Sequence, residues 1–260
     1  MPETMKLLCL CPTFGRTRSL LENSLACFVT QEYPVEDRRL LFYDDGGNIS
    51  AMSDETEGWR LMRDDRRQPT LPMKYNAMLV TEAAFFDYDA VVVWDDDDIY
   101  LPHHLSAIAG VLKTNSWSHP LQVLSTYGTE PGEVPRLESA AGRFHGSLAI
   151  RRDLLTNIGG WIQTPRADFD QQQIAACQDI AGDPGRPDRD QPPSYIFRWQ
   201  DSGDSHCQGI MRGPENTDWY ERNAIGKEDR LPITDILQPH LDLPAAGVVL
   251  AMKRNEKRPG

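Results

Sequence analysis

Apolar runs and stretches of helical periodicity alternate along the first half of the chain. Lys6 to Cys11 (KLLCLC) is a short apolar run closed by Pro12, and Arg18 to Val29 (RSLLENSLACFV) carries apolar residues at helical spacing. That order predicts strand, loop, helix. Arg39 to Tyr43 (RLLFY) stops at DDGGN, a turn-forming cluster of the kind that follows a buried strand. Lys74 to Phe86 (KYNAMLVTEAAFF) reads as a helix, and Asp89 to Trp94 (DAVVVW) as a β-branched, apolar strand. Strands of that composition are typical of a parallel sheet covered on both faces. The alternation predicts a doubly wound α/β fold, with a mostly parallel central sheet and helices on both faces. In such sheets ligands gather at the carboxyl ends of the strands. Three loops sit there: CPTFGR, DDGGN and DDDDIYLP.

After Pro102 the pattern loosens. HHLSAIAGVLK reads as a helix and LQVLSTYG as a strand, while Arg143 to Trp161 reads as a strand joined to a short helix that stops at Gly159. Asp183 to Pro193 (DPGRPDRDQPP) is expected to be a surface loop, because too few residues follow it to build a second core. A single domain is therefore expected for the 260 residues.

Charge and cysteine content narrow the function classes. The formal net charge is −12, so the surface repels polyanions except where basic residues gather locally. There is no apolar run of roughly 18 residues or more, and the start lacks a basic segment followed by an apolar one. A cytoplasmic chain without a membrane segment is expected. The five cysteines show no zinc-type pairing: Cys9 and Cys11 are expected on opposite faces of one strand, and reduced thiols are expected throughout.

The acids behind the third strand change the picture most. Asp95 to Asp98 are four adjacent carboxylates that repel one another, and a bound cation is the economical explanation. Oxygen ligands suit magnesium or manganese, which bind one or two carboxylates and complete their shell with phosphate oxygens. A metal-diphosphate site is expected.

In the order CPTFGR, FYDDGG, LPMKYNAML, VVVWDDDDIYLP, FHGSLAIRRDLLTNIGGW, the chain resembles the inverting GT-A glycosyltransferases of the family 2 type, from about Lys6 to about Asp170. The most specific element is the DxD-type stretch followed by proline. The resemblance implies a GT-A fold, the Rossmann-like architecture of nucleotide-diphospho-sugar transferases. It divides the single domain, 1–260, into a nucleotide-sugar-binding half, 1–110, and an acceptor-side half, 111–260. It also implies a nucleoside-diphosphate sugar donor, of the UDP type, and a divalent cation, Mn2+ or Mg2+. By the same comparison Asp95 and Asp97 form the DxD pair, Asp97 is the direct metal ligand and Asp98 is the acid that follows. Thr13 and Arg16 fall where the family contacts the nucleotide, and Asp45, with Asp44 as an offset alternative, where a carboxylate meets the base. Lys74 and Asn76 fall near the nucleotide sugar and diphosphate. Trp161 belongs to the glycine-glycine-aromatic turn on the substrate side.

Displacement at an anomeric carbon requires removal of the acceptor hydroxyl's proton, and a carboxylate is the usual agent. In GGWIQTPRADFDQQQ an alanine stands where the family commonly has the first acid, which leaves Asp168 as the match for the catalytic base. Asp170 lies two residues on, and if the segment is helical the two carboxylates diverge. The resemblance offers His206 as a third metal ligand and His145 as an acceptor-side residue, while His103 and His104 begin a helix beside the site.

The likeness extends to small phage and bacterial glycosyltransferases, including those proposed to modify hydroxymethylated pyrimidines. The acceptor is accordingly either hydroxymethylated DNA or a surface or lipid-linked saccharide, and no obligate protein partner is inferred. Arg60, Arg63, Arg66, Arg67, Arg151, Arg152 and the tail Lys253 to Arg258 supply basic residues that could track phosphates. A nucleotide-sugar-binding protein without chemistry is the other class. The intact acids at 95, 97 and 168 favour the enzyme.

Overall fold

The structure is a computed structural model, which describes residues 4–16, 18–46, 49–126, 135–164 and 168–198. Strand β1 (Leu7–Thr13) leads into helix α1 (Arg18–Val29), and β2 (Arg38–Asp44) is followed by two short strands, β3 (Met52–Asp54) and β4 (Trp59–Arg63). Helix α2 (Leu71–Glu82) then delivers the chain to β5 (Ala90–Val93), whose carboxyl end carries the four acids before β6 (Ile99–Tyr100) and α3 (His104–Leu112). The second half contributes β7 (Trp117–Ser118), β8 (Gln122–Ser125), β9 (Arg136–Ser139), β10 (Ala149–Arg151), α4 (Arg152–Ile158), α5 (Phe169–Ala181) and β11 (Tyr195–Phe197).

Seven strands form the main sheet in the order β3-β4-β2-β1-β5-β10-β7. The four central strands, β4, β2, β1 and β5, run parallel; β3 and β10 flank them antiparallel, and β7, paired antiparallel with β10, returns to their direction. A four-stranded sheet, β6-β11-β8-β9, stands beside it. The strands nearest the centre are apolar on both faces because two core layers use them. Cys9, Cys11, Leu40, Phe42, Ala90 and Val92 face one layer, against Leu21, Leu25 and Phe28 of α1 and Leu105, Ile108 and Leu112 of α3. Leu8, Leu10, Leu41, Val91 and Val93 face the other, against Tyr75 and Met78 of α2, Leu154 and Leu155 of α4, and Ile174 and Cys177 of α5. Burial of each Leu, Ile, Val, Phe or Met side chain among these contributes about 1.5–3 kcal/mol, so this double layer dominates the fold's stability.

Two sequence expectations need correction. Cys9 and Cys11 lie in the same core layer, since residues two apart on a strand share a face. Both are fully buried free thiols. Helix α2 begins at Leu71 instead of Lys74: the Thr70 hydroxyl accepts a hydrogen bond from the Met73 N–H, and Pro72 sits in the first turn, where its missing donor costs nothing. Helix α4 ends as expected, with Gly159 in the left-handed region at φ 88°. No described helix is long and apolar enough to cross a membrane.

Candidate functional site

The loops after β1, β2 and β5 meet at the carboxyl edge of the parallel strands. Contact between the first two is close: a Cβ on Gly46 would lie 2.8 Å from the Gly15 nitrogen, so the DDGG turn needs its glycine. Asp44 shapes that turn by accepting from the Gly46 and Ile49 N–H groups. Asp45 turns inward, accepting from the Gln68 N–H at 2.9 Å and from Lys74 Nζ at 2.5 Å. Lys74 also donates to the Thr13 carbonyl at 2.5 Å, so one buried ammonium ties the ends of β1 and β2 together. Burial lowers its affinity for its proton, and Asp45 restores part of it. Thr13 is buried, and its hydroxyl has no hydrogen-bond partner among the described residues.

The acidic loop is held from several sides. Trp94, fully buried, donates its indole N–H to Ser24 and stacks on Tyr100 at 3.9 Å. The Tyr100 hydroxyl accepts from the Asp95 N–H and donates to the Gly146 carbonyl, joining the loop to the turn before β10. Asp96 is buried, and its two carboxylate oxygens each lie 3.1 Å from Arg16 Nε. The Nη2 of the same guanidinium reaches Asp97 at 2.9 Å. Asp98, also buried, accepts from the Tyr195 hydroxyl and from the Arg198 N–H, and Arg198 Nε donates to the Asp97 carbonyl. Each acid therefore has its own surroundings, although the sequence presents four alike.

Electrostatics set this loop apart. Burial, reinforced by the Asp97 charge, pushes the Asp98 carboxyl up to about 8, against the opposing bonds from Tyr195 and Arg198. Asp95 is raised well above the carboxylate range by burial and then by the charges of Asp98, Asp97, Asp96 and Asp170. Four carboxyl groups stand against two guanidinium groups, Arg16 and Arg198, and all four can ionise together only if further positive charge arrives, which is the condition a cation meets. Among the described residues no three His, Cys, Asp or Glu side chains form a ready metal cage. Asp95 and Asp97 do supply two hard oxygen donors, which fits a magnesium or manganese ion that takes its remaining ligands from phosphate and water.

The turns before β10 and after α4 stand beside the acidic loop. Asn76 holds the glycine-glycine-aromatic turn, donating to the Trp161 carbonyl at 3.1 Å and accepting from the Trp161 N–H at 2.8 Å. Trp161 is almost wholly buried and stacks on Tyr75 at 4.6 Å. Its indole N–H donates to His145 Nε2, which places the histidine's proton on Nδ1. Burial drives His145 down to about 3, so the ring is neutral. Tyr75 is fully buried, its hydroxyl has no hydrogen-bond partner among the described residues, and burial and then the Asp95 charge raise it.

Asp168 stands at the start of α5 and accepts from Gln172 Nε2, but its side chain caps no helix N–H. Asp170 is in the first turn of α5; burial raises its carboxyl, and its charge is felt at Asp95 and Tyr75. His103 precedes α3 and His104 opens it. His206 and the basic tail lie outside the described residues. Sequence reasoning gave no individual role to Asp96, Gly146, Tyr100, Tyr195 or Arg198. Gly146 carried the clearest signal, as a glycine beside a histidine just before a strand.

No family model and no curated protein matches the sequence. Solved structures match the fold. S. aureus TarS 1–349 in complex with UDP-GlcNAc aligns with a TM-score of 0.59 at 16% identity, over 84% of this chain and 64% of that one. A second structure of TarS 1–349 gives 0.55 at 16% identity, over 75% of this chain and 60% of that one, so the chain spans less than two thirds of that protein's length. The mannosyltransferase PcManGT from Pyrobaculum calidifontis, in complex with GDP-Man and Mn2+, aligns at 0.55 and 15% identity, over 98% of this chain and 80% of that one. The chain has the GT-A fold, with glycosyltransferases as its structural neighbours.

Proposed function

We propose that the chain is a cation-assisted glycosyltransferase that moves a sugar from a nucleoside-diphosphate sugar to a hydroxyl acceptor with inversion at the anomeric carbon. The observation that carries this reading is the acidic loop Asp95–Asp98, strapped at the carboxyl end of β5 with four carboxyl groups against two arginines, on a GT-A fold. Residues 1–110 form the donor side and 111–260 the acceptor side. The neighbours' ligands, UDP-GlcNAc in one and GDP-Man with Mn2+ in another, support the donor class and the cation.

Asp95 and Asp97 are the residues that would hold the cation, Mn2+ or Mg2+, which supplies charge neutralisation for the departing diphosphate when bound. The Thr13 hydroxyl, buried at the mouth with no described partner, is suited to donate to a phosphate oxygen. Lys74 and Asp45 fix the floor under the nucleotide, and Asn76 fixes the turn that carries Trp161. Asp168, the match to the family's position, is the proposed base for the acceptor proton. Asp170 is a second assignment: burial raises its affinity for a proton, and its charge is felt at Asp95.

The charge distribution supports a saccharide acceptor over hydroxymethylated DNA. Arg60, Arg63, Arg151 and Arg152 each stand within ion-pair distance of a carboxylate, and Arg67 lies over the Phe14 ring at 3.9 Å. A transfer assay that offers UDP- and GDP-sugars with simple saccharides and with hydroxymethylcytosine DNA tests the reading. Product of inverted configuration on a saccharide is expected. A retained configuration contradicts the mechanism, and glycosylated DNA with no saccharide product returns the acceptor to nucleic acid.

A further inference from the structure

Asp96 has no part in the donor site described above, yet its place in the loop is specific. Arg16, with a side chain only 9% exposed, lies across it: Nε is equidistant from both carboxylate oxygens, and Nη2 is 3.0 Å from Oδ1. The same Nη2 is 2.9 Å from Asp97 Oδ2. A single guanidinium thus bridges the acid assigned to the cation and its buried neighbour.

We propose that Arg16 and the divalent cation compete for Asp97. Arg16 is the guanidinium that meets the Asp97 carboxylate, and it gives up Asp97 while keeping Asp96 when cation and diphosphate arrive together. The inference rests on the reading of this site as a cation-assisted nucleotide-sugar site. A carboxylate cannot hold a guanidinium nitrogen and a divalent cation closely without bringing two positive charges together in a half-buried place, where Coulomb repulsion is weakly screened. Asp96, at 2% exposure, stays in the wall and keeps its fork on Arg16. The guanidinium therefore has an anchor on which to swing its second nitrogen.

Diphosphate resolves the conflict in both directions. It offers oxygens to complete the cation's shell and negative charge to receive the Arg16 nitrogen that leaves Asp97. The cation should accordingly bind weakly alone and much more tightly with nucleotide, and by linkage the nucleotide gains as much from the cation.

The test is Mn2+ titration of the full chain, followed by the paramagnetic resonance of free Mn2+, without nucleotide and then with UDP. The proteins are wild type, Arg16→Gln, Arg16→Lys and Arg16→Gln/Asp97→Asn, each checked by thermal melting. An opposite charge within a few ångströms changes a carboxylate's affinity for a proton by about 10- to 1000-fold, so removal of the guanidinium should tighten Mn2+ binding at least about tenfold. Arg16→Lys, which keeps the charge and loses the fork, should fall between, and it carries the test if Arg16→Gln does not fold. UDP should tighten Mn2+ less in Arg16→Gln than in wild type. Equal Mn2+ affinity in wild type and Arg16→Gln overturns the inference, as does tightening that survives Asp97→Asn. If UDP-GlcNAc binding still depends on Mn2+ in that case, the donor-site reading stands alone; if no nucleotide sugar binds under any condition, that reading has failed too.

Discussion

Alanine at position 146 tests whether the turn before β10 sets the position of Asp95. Gly146 lies outside the left-handed backbone region, so the change tests space and not backbone strain. A Cβ there would stand 2.5 Å from Asp95 Oδ2, 2.8 Å from the Tyr195 hydroxyl oxygen and 3.0 Å from Tyr195 Cε2. Ordinary contact begins near 3.4 Å, so the Asp95 carboxylate has to retreat by about 0.9 Å and the Tyr195 hydroxyl by about 0.6 Å. Tyr195 resists because its hydroxyl is bonded to Asp98 and its strand pairs with β6 and β8. Overpacking of this kind costs about 1–3 kcal/mol of stability, and a misplacement of ~1 Å at a reacting centre costs ~100-fold in rate. Gly110 on α3 is the matched control: nothing lies within 4 Å of its added Cβ, and alanine there should stabilise the helix by about 0.5–1 kcal/mol. Urea denaturation and steady-state transfer, run on both variants, read the two effects. A Gly146→Ala protein with wild-type turnover and stability would refute the argument that this glycine seats Asp95.

Other variants probe separate parts of the site. Asp168→Asn should lower turnover by roughly 100-fold or more with donor affinity unchanged; loss at Asp170→Asn with an active Asp168→Asn would move the base two residues along. Tyr75→Phe removes a buried hydroxyl that has no described partner, so stability should hold or rise; a loss of more than about 1 kcal/mol in urea melts would show that the hydroxyl is bonded. His119 is buried with Nε2 2.7 Å from the Arg143 carbonyl, and burial holds it down to about 4, so it refuses a proton that the unfolded chain accepts below about 6.5. The stability of wild type relative to His119→Gln should therefore fall as pH drops from 6.5 toward 4, by up to about 1.4 kcal/mol per pH unit; a difference independent of pH in urea melts would contradict this.

The parallel centre of the sheet was legible because β1, β2 and β5 are apolar on both faces, a pattern that water-exposed elements do not share. The acidic loop stood out for the opposite reason, as charge that no strand or helix explains. Short edge elements escaped: β3 and β4 are brief and half polar, so their alternation is faint, and α5 mixes apolar and polar residues closely. The capping signal of Thr70 and Pro72 was present and passed over. What holds the acids was hidden by distance along the chain, since Arg16 meets Asp96 across 80 residues and Tyr195 meets Asp98 across 97. Local pattern cannot show which of four identical carboxylates is neutralised, strapped or left to face a ligand.

Calorimetric titration of the full chain with UDP-GlcNAc and GDP-mannose, in Mn2+ and again in chelator, tests the central claim most directly, with Asp97→Asn beside wild type. One nucleotide sugar should bind wild type tightly in Mn2+ and at least about tenfold more weakly in chelator, and Asp97→Asn should lose that difference. Binding that is identical with and without the cation, or absent for every nucleotide sugar, would contradict the account.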